Sequence, residues 1–223
     1  MEEALVETIR RNGLRDGCIR LVISRGDGTL GFDPNHCEKP NIVIIVEQLQ
    51  LYPEEAYKNG LTIVSVSTRR NIPDALNPKI KSLNYLNNIL AKIQSNLVGA
   101  GEALMLNHEG YVAECTGDNI FIIKNGVIYT PPTNVGALEG ITRAAIIELC
   151  DKLGYELREE PFALHDVYVA DEVFLTGTAA EVIAVREVDS RIIGEGKAGP
   201  ITTHLLQEYR KIVYDDGVKV TYD

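Results

Sequence analysis

The stretch "YVAECTGDNIFIIKNGVIYT", residues 111–130, reads as strand, turn, strand, tight turn and strand in twenty positions. Its apolar runs are short and rich in β-branched and aromatic residues, and Lys-Asn-Gly marks a two-residue hairpin connection. A glutamate, Glu114, interrupts the first run. An exposed strand residue is the ordinary reading of such a carboxylate; turned inward, it needs a cationic partner, because an unpaired buried charge is too costly.

Working outward, "EALMLNHEG" precedes this meander as a further strand, and the helix "GITRAAIIELCDKLG" follows it, ending at Gly154. "YELREEPF" and "EVFLTGTAAEVIAVREVD" then read as strands, and "PITTHLLQEYRKIV" as a closing helix. Upstream lie a capped helix at the N-terminus stopped by Gly13, the strands "CIRLVISRG" and "NIVIIVEQ", the short helix "YPEEAYKNG" and the strand "LTIVSVSTRR". Residues 69–79 carry two prolines and no period, which predicts a loop. From Leu83 the spacing turns helical, with Leu83, Leu86, Ile89, Leu90, Ile93 and Leu97 on one stripe. Hairpins and meanders broken by helices define an α+β or mixed α/β class, with a seam between two lobes near residues 56–62.

The chain has 223 residues, 45% hydrophobic, with a formal net charge of −10. That acidity argues against nucleic acid or an anionic membrane as partner, while a locally positive site for a small anion stays open. The N-terminus is acidic and amphipathic rather than signal-like, and no apolar run reaches the length of a membrane span. Four cysteines, Cys18, Cys37, Cys115 and Cys150, have no CxxC spacing. Reduced thiols in a cytoplasmic protein are the expectation, with no metal site.

Four local features carry chemistry. Gly140 and Thr142 open an amphipathic helix, which suits either a phosphate at the free N–H groups or a plain N-cap. In "FLTGTAAE" a strand ends in small and hydroxylic residues, either a close-packed bend or a backbone that a ligand approaches. In "PKIKSLNYLNN", residues 78–88, Lys81 precedes Ser82, a fair N-cap for the helix from Leu83, whereas Lys79 follows Asn-Pro on the loop. A desolvated lysine can act as a covalent catalyst. Lysine, glutamate, helix start and donor-rich strand end together form a kit for pyridoxal phosphate, which needs one of each.

"IKSLNYLNN", "YVAECTGDNIF", "LEGITR" and "ADEVFLTGTAAEV" resemble, in order and spacing, the motifs of class IV aminotransferases, the fold type IV pyridoxal phosphate enzymes. The resemblance implies a two-lobed fold like that of D-amino-acid aminotransferase, with residues 1–58 a partial small lobe and 59–223 the cofactor lobe. It implies Lys81 as Schiff-base lysine and proton carrier, and Glu114 as partner of the pyridine nitrogen. Tyr85 corresponds to a contact of the cofactor's phenolic oxygen, Leu138 to an apolar residue against the ring, and Ile141, Thr142 and Thr178 to the phosphate cup. Thr178 and Ala179 correspond to the site for the substrate carboxylate, and Arg20 to a substrate-side arginine of the small lobe. The branched-chain type fits best: amino transfer from leucine, isoleucine or valine to 2-oxoglutarate, in a homodimer or higher homo-oligomer. A D-amino-acid aminotransferase, an aminodeoxychorismate lyase or an inactive remnant are the alternatives. Two departures stand out. Cys18 replaces a tyrosine usual in branched-chain enzymes, and Met1 opens directly on the helix that the first half of the small lobe normally precedes; without those strands an unpaired sheet edge is expected.

Overall fold

The computed structural model describes residues 1–49, 51–215 and 217–222. Contacts divide the chain into two compact units, residues 1–50 with 217–223, and residues 51–216. In the first unit α1 (Glu2–Asn12) has Glu2 and Glu3 in its first turn and Arg10 and Arg11 in its last, matching the helix dipole. Gly13 ends it in the left-handed region, φ 66°, its N–H bonded to the carbonyls of Ile9 and Arg10. Strands β1 (Cys18–Ser24) and β2 (Asn41–Glu47) pair antiparallel, with Arg20 opposite Ile45. The returning C-terminus joins this unit: Arg10 donates to the Thr221 carbonyl at 2.7 Å, and the Tyr222 hydroxyl to that of Leu14. No residue of α1 is buried, and Ile19, Ile23, Ile42 and Val43 on the ribbon are all exposed. A two-stranded ribbon is marginal by itself, so this sheet has too little cover for its apolar content.

The second unit is built on one mixed sheet. Its strands are β3 (Leu61–Ser65), β4 (Glu102–Leu106), β5 (Val112–Cys115), β6 (Asn119–Lys124), β7 (Val127–Thr130), β8 (Leu157–Glu159), β9 (Glu172–Gly177), β10 (Glu181–Val188) and the short β11 (Arg191–Ile192). They run in the order β5-β4-β3-β10-β9-β6-β7-β8, with β11 beside β10. β3 is parallel to both neighbours, and β7 is parallel to β8. Past the end of β8 the chain returns to β5: Tyr111 bridges Ala163, and the Val112 N–H donates to the Phe162 carbonyl at 2.9 Å. The sheet thus curls back toward its own first edge.

Strand alternation sends side chains to two cores. Ile120 and Ile122 of β6 and Val173 and Leu175 of β9 enter one. Phe121, Ile123 and Phe174 enter the other, against helices α5 (Ile141–Leu153) and α7 (Pro200–Asp215). Phe121 and Phe174 stack at 4.8 Å between centroids and are fully buried, each contributing about 1.5–3 kcal/mol of hydrophobic burial. The hairpin between β6 and β7 turns at Asn125 and Gly126, φ 51° and 78°, as the Lys-Asn-Gly signal predicts.

The short helix expected at "YPEEAYKNG" forms as α2 (Glu54–Asn59), inside the second unit, where Ala56 and Tyr57 pack on the first core. Three other elements depart from the sequence reading. A short helix, α3 (Pro73–Leu76), stands within the expected loop. The helix expected from Leu83 begins later: α4 spans Leu86–Leu97 with Tyr85 at its N-cap and no side-chain cap. Ser82 accepts instead from the Asn84 N–H at 3.2 Å, because residues 80–85 make successive tight turns. A further short helix, α6 (Leu164–Tyr168), follows the bridge at Ala163 and is started by Asp166, which accepts the Ala163 N–H at 2.8 Å.

The orientation of α4 is a finding in itself. Its docked face is made of Ala91 and Ser95, with Ala91 packing against Val66, Ala103 and Met105. The large apolar stripe points outward, with Leu86 64% and Leu97 81% exposed. Among the described residues, no helix is long and apolar enough to cross a membrane.

Candidate active site

Glu114 stands on β5 and is buried, as an inward-facing residue of a strand whose four positions are all covered. Its cation is Arg70, just past β3, at 2.5 Å from Oε1; both side chains are less than a tenth exposed. Arg70 is itself fully engaged, donating to the Gly136 carbonyl at 3.1 Å and to Asn88 Oδ1 at 2.9 Å. The other carboxylate oxygen, Oε2, accepts from the Leu138 N–H at 2.8 Å and from Asn119 Nδ2 at 3.0 Å. Burial pushes the Glu114 carboxyl up to about 7, against the pull of Arg70 and of the Leu138 N–H.

Lys81 lines the same cleft as Glu114, with Tyr85 and Leu138 in the wall, and Lys79 does not. The Lys81 ammonium donates to the Tyr85 hydroxyl at 3.2 Å and remains exposed on this unit. The asparagines of "NYLNN" fasten the start of α4 to the cleft. Asn87 donates to the Arg69 carbonyl at 2.8 Å, and Asn88 to the Thr116 carbonyl at 2.7 Å.

Ile141 and Thr142 stand at the start of α5, Ile141 exposed and Thr142 buried, and no side chain caps that helix. Its first N–H groups therefore have no protein partner supplied by a cap. Thr178 and Ala179 form the turn between β9 and β10. Both features meet the corner Asp118–Asn119. A Cβ on Gly140 would lie 2.2 Å from Asn119 Oδ1, and one on Gly177 would lie 2.1 Å from Asp118 Oδ1. A side chain at either place would force the Asn119 amide or the Asp118 carboxylate to shift. Gly177→Ala is expected to cost about 1–3 kcal/mol through overpacking, read as a lowered midpoint in thermal unfolding; an unchanged midpoint would refute the close contact. Arg20 belongs to β1 of the first unit and is exposed there.

Sequence reasoning missed Arg70, Asn88, Asp118 and Asn119. The demand of an inward Glu114 for a cation was the signal available for Arg70. Asp118 is 6% exposed and lines the cleft, and no hydrogen-bond partner for its carboxylate is found among the described residues. Its pKa is pushed up to about 7, first by burial and then by the neighbouring Glu102 carboxylate. An acid with a higher pKa folded than unfolded binds more protons when folded, so stability falls as pH rises from about 4 to about 7 and is level above that. Asp118→Asn is expected to raise the urea midpoint at pH 8 and leave it nearly unchanged at pH 4. Equal shifts at both pH values would exclude a buried, ionising Asp118.

A mixed sheet with helices on one core, an inward carboxylate held by arginine and a lysine in the same cleft define a cofactor-enzyme architecture. The sequence profile of the amino-transferase class IV family matches residues 1–188, and the chain belongs to that family. A Methanocaldococcus jannaschii relative, named provisionally as a branched-chain-amino-acid aminotransferase, is 49% identical over 223 residues, all of this chain and 76% of the relative. A T.th. branched-chain amino acid aminotransferase, solved with pyridoxamine 5'-phosphate, superposes with TM-score 0.90 at 40% identity, over 95% of this chain and 70% of that one. The same enzyme complexed with N-(5'-phosphopyridoxyl)-L-glutamate gives TM-score 0.89 at 38% identity, over 96% and 70%. The fold is that of these branched-chain aminotransferase structures.

Proposed function

We propose that the chain is a pyridoxal phosphate-dependent aminotransferase of the branched-chain type, transferring the amino group of leucine, isoleucine or valine to 2-oxoglutarate. The observation that carries the reading is Glu114, buried and fixed in the wall of the cleft that Lys81 also lines. A carboxylate offers about four lone-pair sites, and Arg70, Asn119 and Leu138 use three, so one acceptor site is left for a ring N–H. The donor set fits the phosphate too: an uncapped start of α5 and a turn of small residues flank the Asp118–Asn119 corner.

When bound, pyridoxal phosphate supplies the electron sink that makes the substrate's α-proton removable. Lys81 would hold the cofactor covalently and carry the proton at the substrate's α-carbon. Tyr85, at hydrogen-bond distance from the lysine, would hold it and the cofactor's phenolic oxygen in place. Glu114 would hold a proton on the ring nitrogen, with Arg70 pulling its carboxyl down against the burial that raises it. Leu138, in the cleft wall, would lie against the ring. Ile141, Thr142 and Thr178 would take the phosphate and the backbone at Thr178 and Ala179 the substrate carboxylate, while Arg20 would serve as a substrate-side arginine. The glutamate adduct bound to the T.th. enzyme supports glutamate and 2-oxoglutarate as one partner pair.

The protein works as a homodimer or higher homo-oligomer. Support comes from α4, whose outward Leu86, Ile89, Ile93 and Leu97 form an apolar stripe of the kind that seeks a partner. Sedimentation at micromolar concentration should give a dimer or larger, and Leu86→Glu with Ile93→Glu should give monomers; a monomeric wild type would remove this part of the reading. A cytoplasmic location accords with four free cysteines.

The central test is incubation with pyridoxal phosphate. A visible absorption band should form, borohydride should fix it, and peptide mapping should find the label on Lys81. Leucine and 2-oxoglutarate should then be turned over. No band, a label on Lys79, or turnover of D-alanine and not leucine would each overturn the corresponding part of the reading.

A further inference from the structure

The turn Thr178–Ala179–Ala180 closes the β9–β10 hairpin, with Gly177 opposite Glu181 in the register. None of the three turn amides donates a backbone hydrogen bond among the described residues. Both ends of the turn are held tightly. At the first, Gly177 fits against the Asp118 carboxylate with no space for a side chain. At the second, Glu181 has φ 55°, a left-handed conformation that glutamate adopts only when its surroundings impose it.

Those surroundings are Arg210 of α7 and Tyr57 of α2. Arg210 donates from Nε at 2.8 Å and from Nη2 at 2.6 Å to Glu181 Oε2. Its guanidinium lies 5.2 Å from the centroid of the Tyr57 ring, which backs it as a flat apolar support. The pair is only partly covered, Arg210 39% and Glu181 30% exposed at the side chain, so it adds little to global stability. α7 is itself fixed to the same hairpin at its other end. Glu172 of β9 accepts the N–H groups of Ile201 and Thr202 at 3.1 and 2.8 Å and the Thr202 hydroxyl at 2.7 Å. Helix α7 is therefore a strut anchored at the start of β9 and at the start of β10, with the turn between those anchors.

We propose that Arg210 and Glu181 are positioning residues: they hold the Thr178–Ala180 turn in the one backbone arrangement that leaves its amides free for the substrate's carboxylate. The inference rests on the assignment of that turn to the substrate carboxylate in the aminotransferase reading. Without Arg210, Glu181 relaxes to negative φ, the peptide before it rotates, and the amides lose their common orientation. Arg210 itself touches neither substrate nor cofactor.

Amide hydrogen exchange on the cofactor-free protein reads the turn directly. Arg210→Ala and the nearly isosteric Glu181→Gln should each speed exchange at residues 178–181 by about tenfold or more, with Phe174 and Leu175 unchanged. Arg210→Lys should recover part of the protection. On protein loaded with pyridoxal phosphate, the affinity for 4-methylvalerate, a branched carboxylate without an amino group, should fall by about tenfold in Arg210→Ala while the visible band persists. Glu181→Gly tolerates positive φ unaided, so adding Arg210→Ala to it should produce no further loss. The inference is overturned if exchange and carboxylate affinity stay at wild-type values in Arg210→Ala. It is also overturned if Arg210→Ala costs as much in the Glu181→Gly background, because Arg210 would then act on the ligand and not through the turn. If the wild type gives no visible band, the aminotransferase reading fails, and the exchange data still decide whether the pair holds the turn.

Discussion

Lys81→Ala is expected to lose the visible band with pyridoxal phosphate and to slow transamination by on the order of 10²–10⁴-fold from proton transfer alone. The reasoning starts from neighbours. Lys81 shares its cleft wall with Glu114 and bonds Tyr85, whereas Lys79 is an exposed residue outside that wall. Alanine removes the only amine the cleft wall offers at that place among the described residues, the one proposed as covalent anchor. Added alkylamine should restore part of the rate, because the cleft left by the side chain is open to solvent. Lys79→Ala should behave as wild type in every respect. The assignment is wrong if Lys81→Ala keeps the band, or if Lys79→Ala loses it.

Arg70→Leu has the second large effect, on stability. It strands Glu114 among β4, β5 and Leu138 without its cation, and it leaves the Gly136 carbonyl and the Asn88 side chain without a donor. Breaking a buried pair in this way costs about 3–5 kcal/mol. The loss should depend on pH. Glu114 titrates near 7 with Arg70 present, so at pH 5 it is largely neutral and the arginine matters less; at pH 8 it is charged and the arginine matters most. Urea unfolding at the two pH values should therefore show the larger drop at pH 8, and Glu114→Gln in the same chain should recover part of it. Equal losses at both pH values would mean that Arg70 supports the fold through Gly136 and Asn88, not through Glu114.

What the sequence made legible was local. Gly13 and Gly154 stop α1 and α5 in the left-handed region, and Asn125–Gly126 turns the β6–β7 hairpin, because each depends on its own backbone and few neighbours. Periodicity also found α4. It did not reveal which face meets the sheet, since a stripe of Leu and Ile can serve a core or a partner equally well, and here Ala91 and Ser95 take the inner side. Within the cleft, the short polar run Thr-Gly-Asp-Asn looks like ordinary turn chemistry. Only folding makes Asp118 and Asn119 the corner on which Gly140 and Gly177 close. Arg70 was hidden in a proline-containing loop, and its role arises from a partner two strands away. Choosing Lys81 over Lys79 came from the resemblance of ordered motifs, because "PKIKS" ranks the two exposed lysines only weakly, by the place of Lys81 against a helix start.

The placement of β3 has a kinetic side. The sheet is two blocks, β5-β4-β3 and β10-β9-β6-β7-β8, joined along a parallel seam in which Ile63 faces Val188 and, at the opposite edge, by the bridge from Tyr111 to Ala163. Ser65 is bonded across that seam to Asp189, 124 positions later. Loop closure over such a distance must come before its reward, which makes this the slow event in assembly. A nascent chain will have exposed Lys81 and Glu114 long before β10 emerges. The residues that line the cleft lie between Arg70 and Leu138, so its wall leaves the ribosome before the seam can form. Until then the free edge of β3, "LTIVS", is the segment most at risk of pairing with another chain.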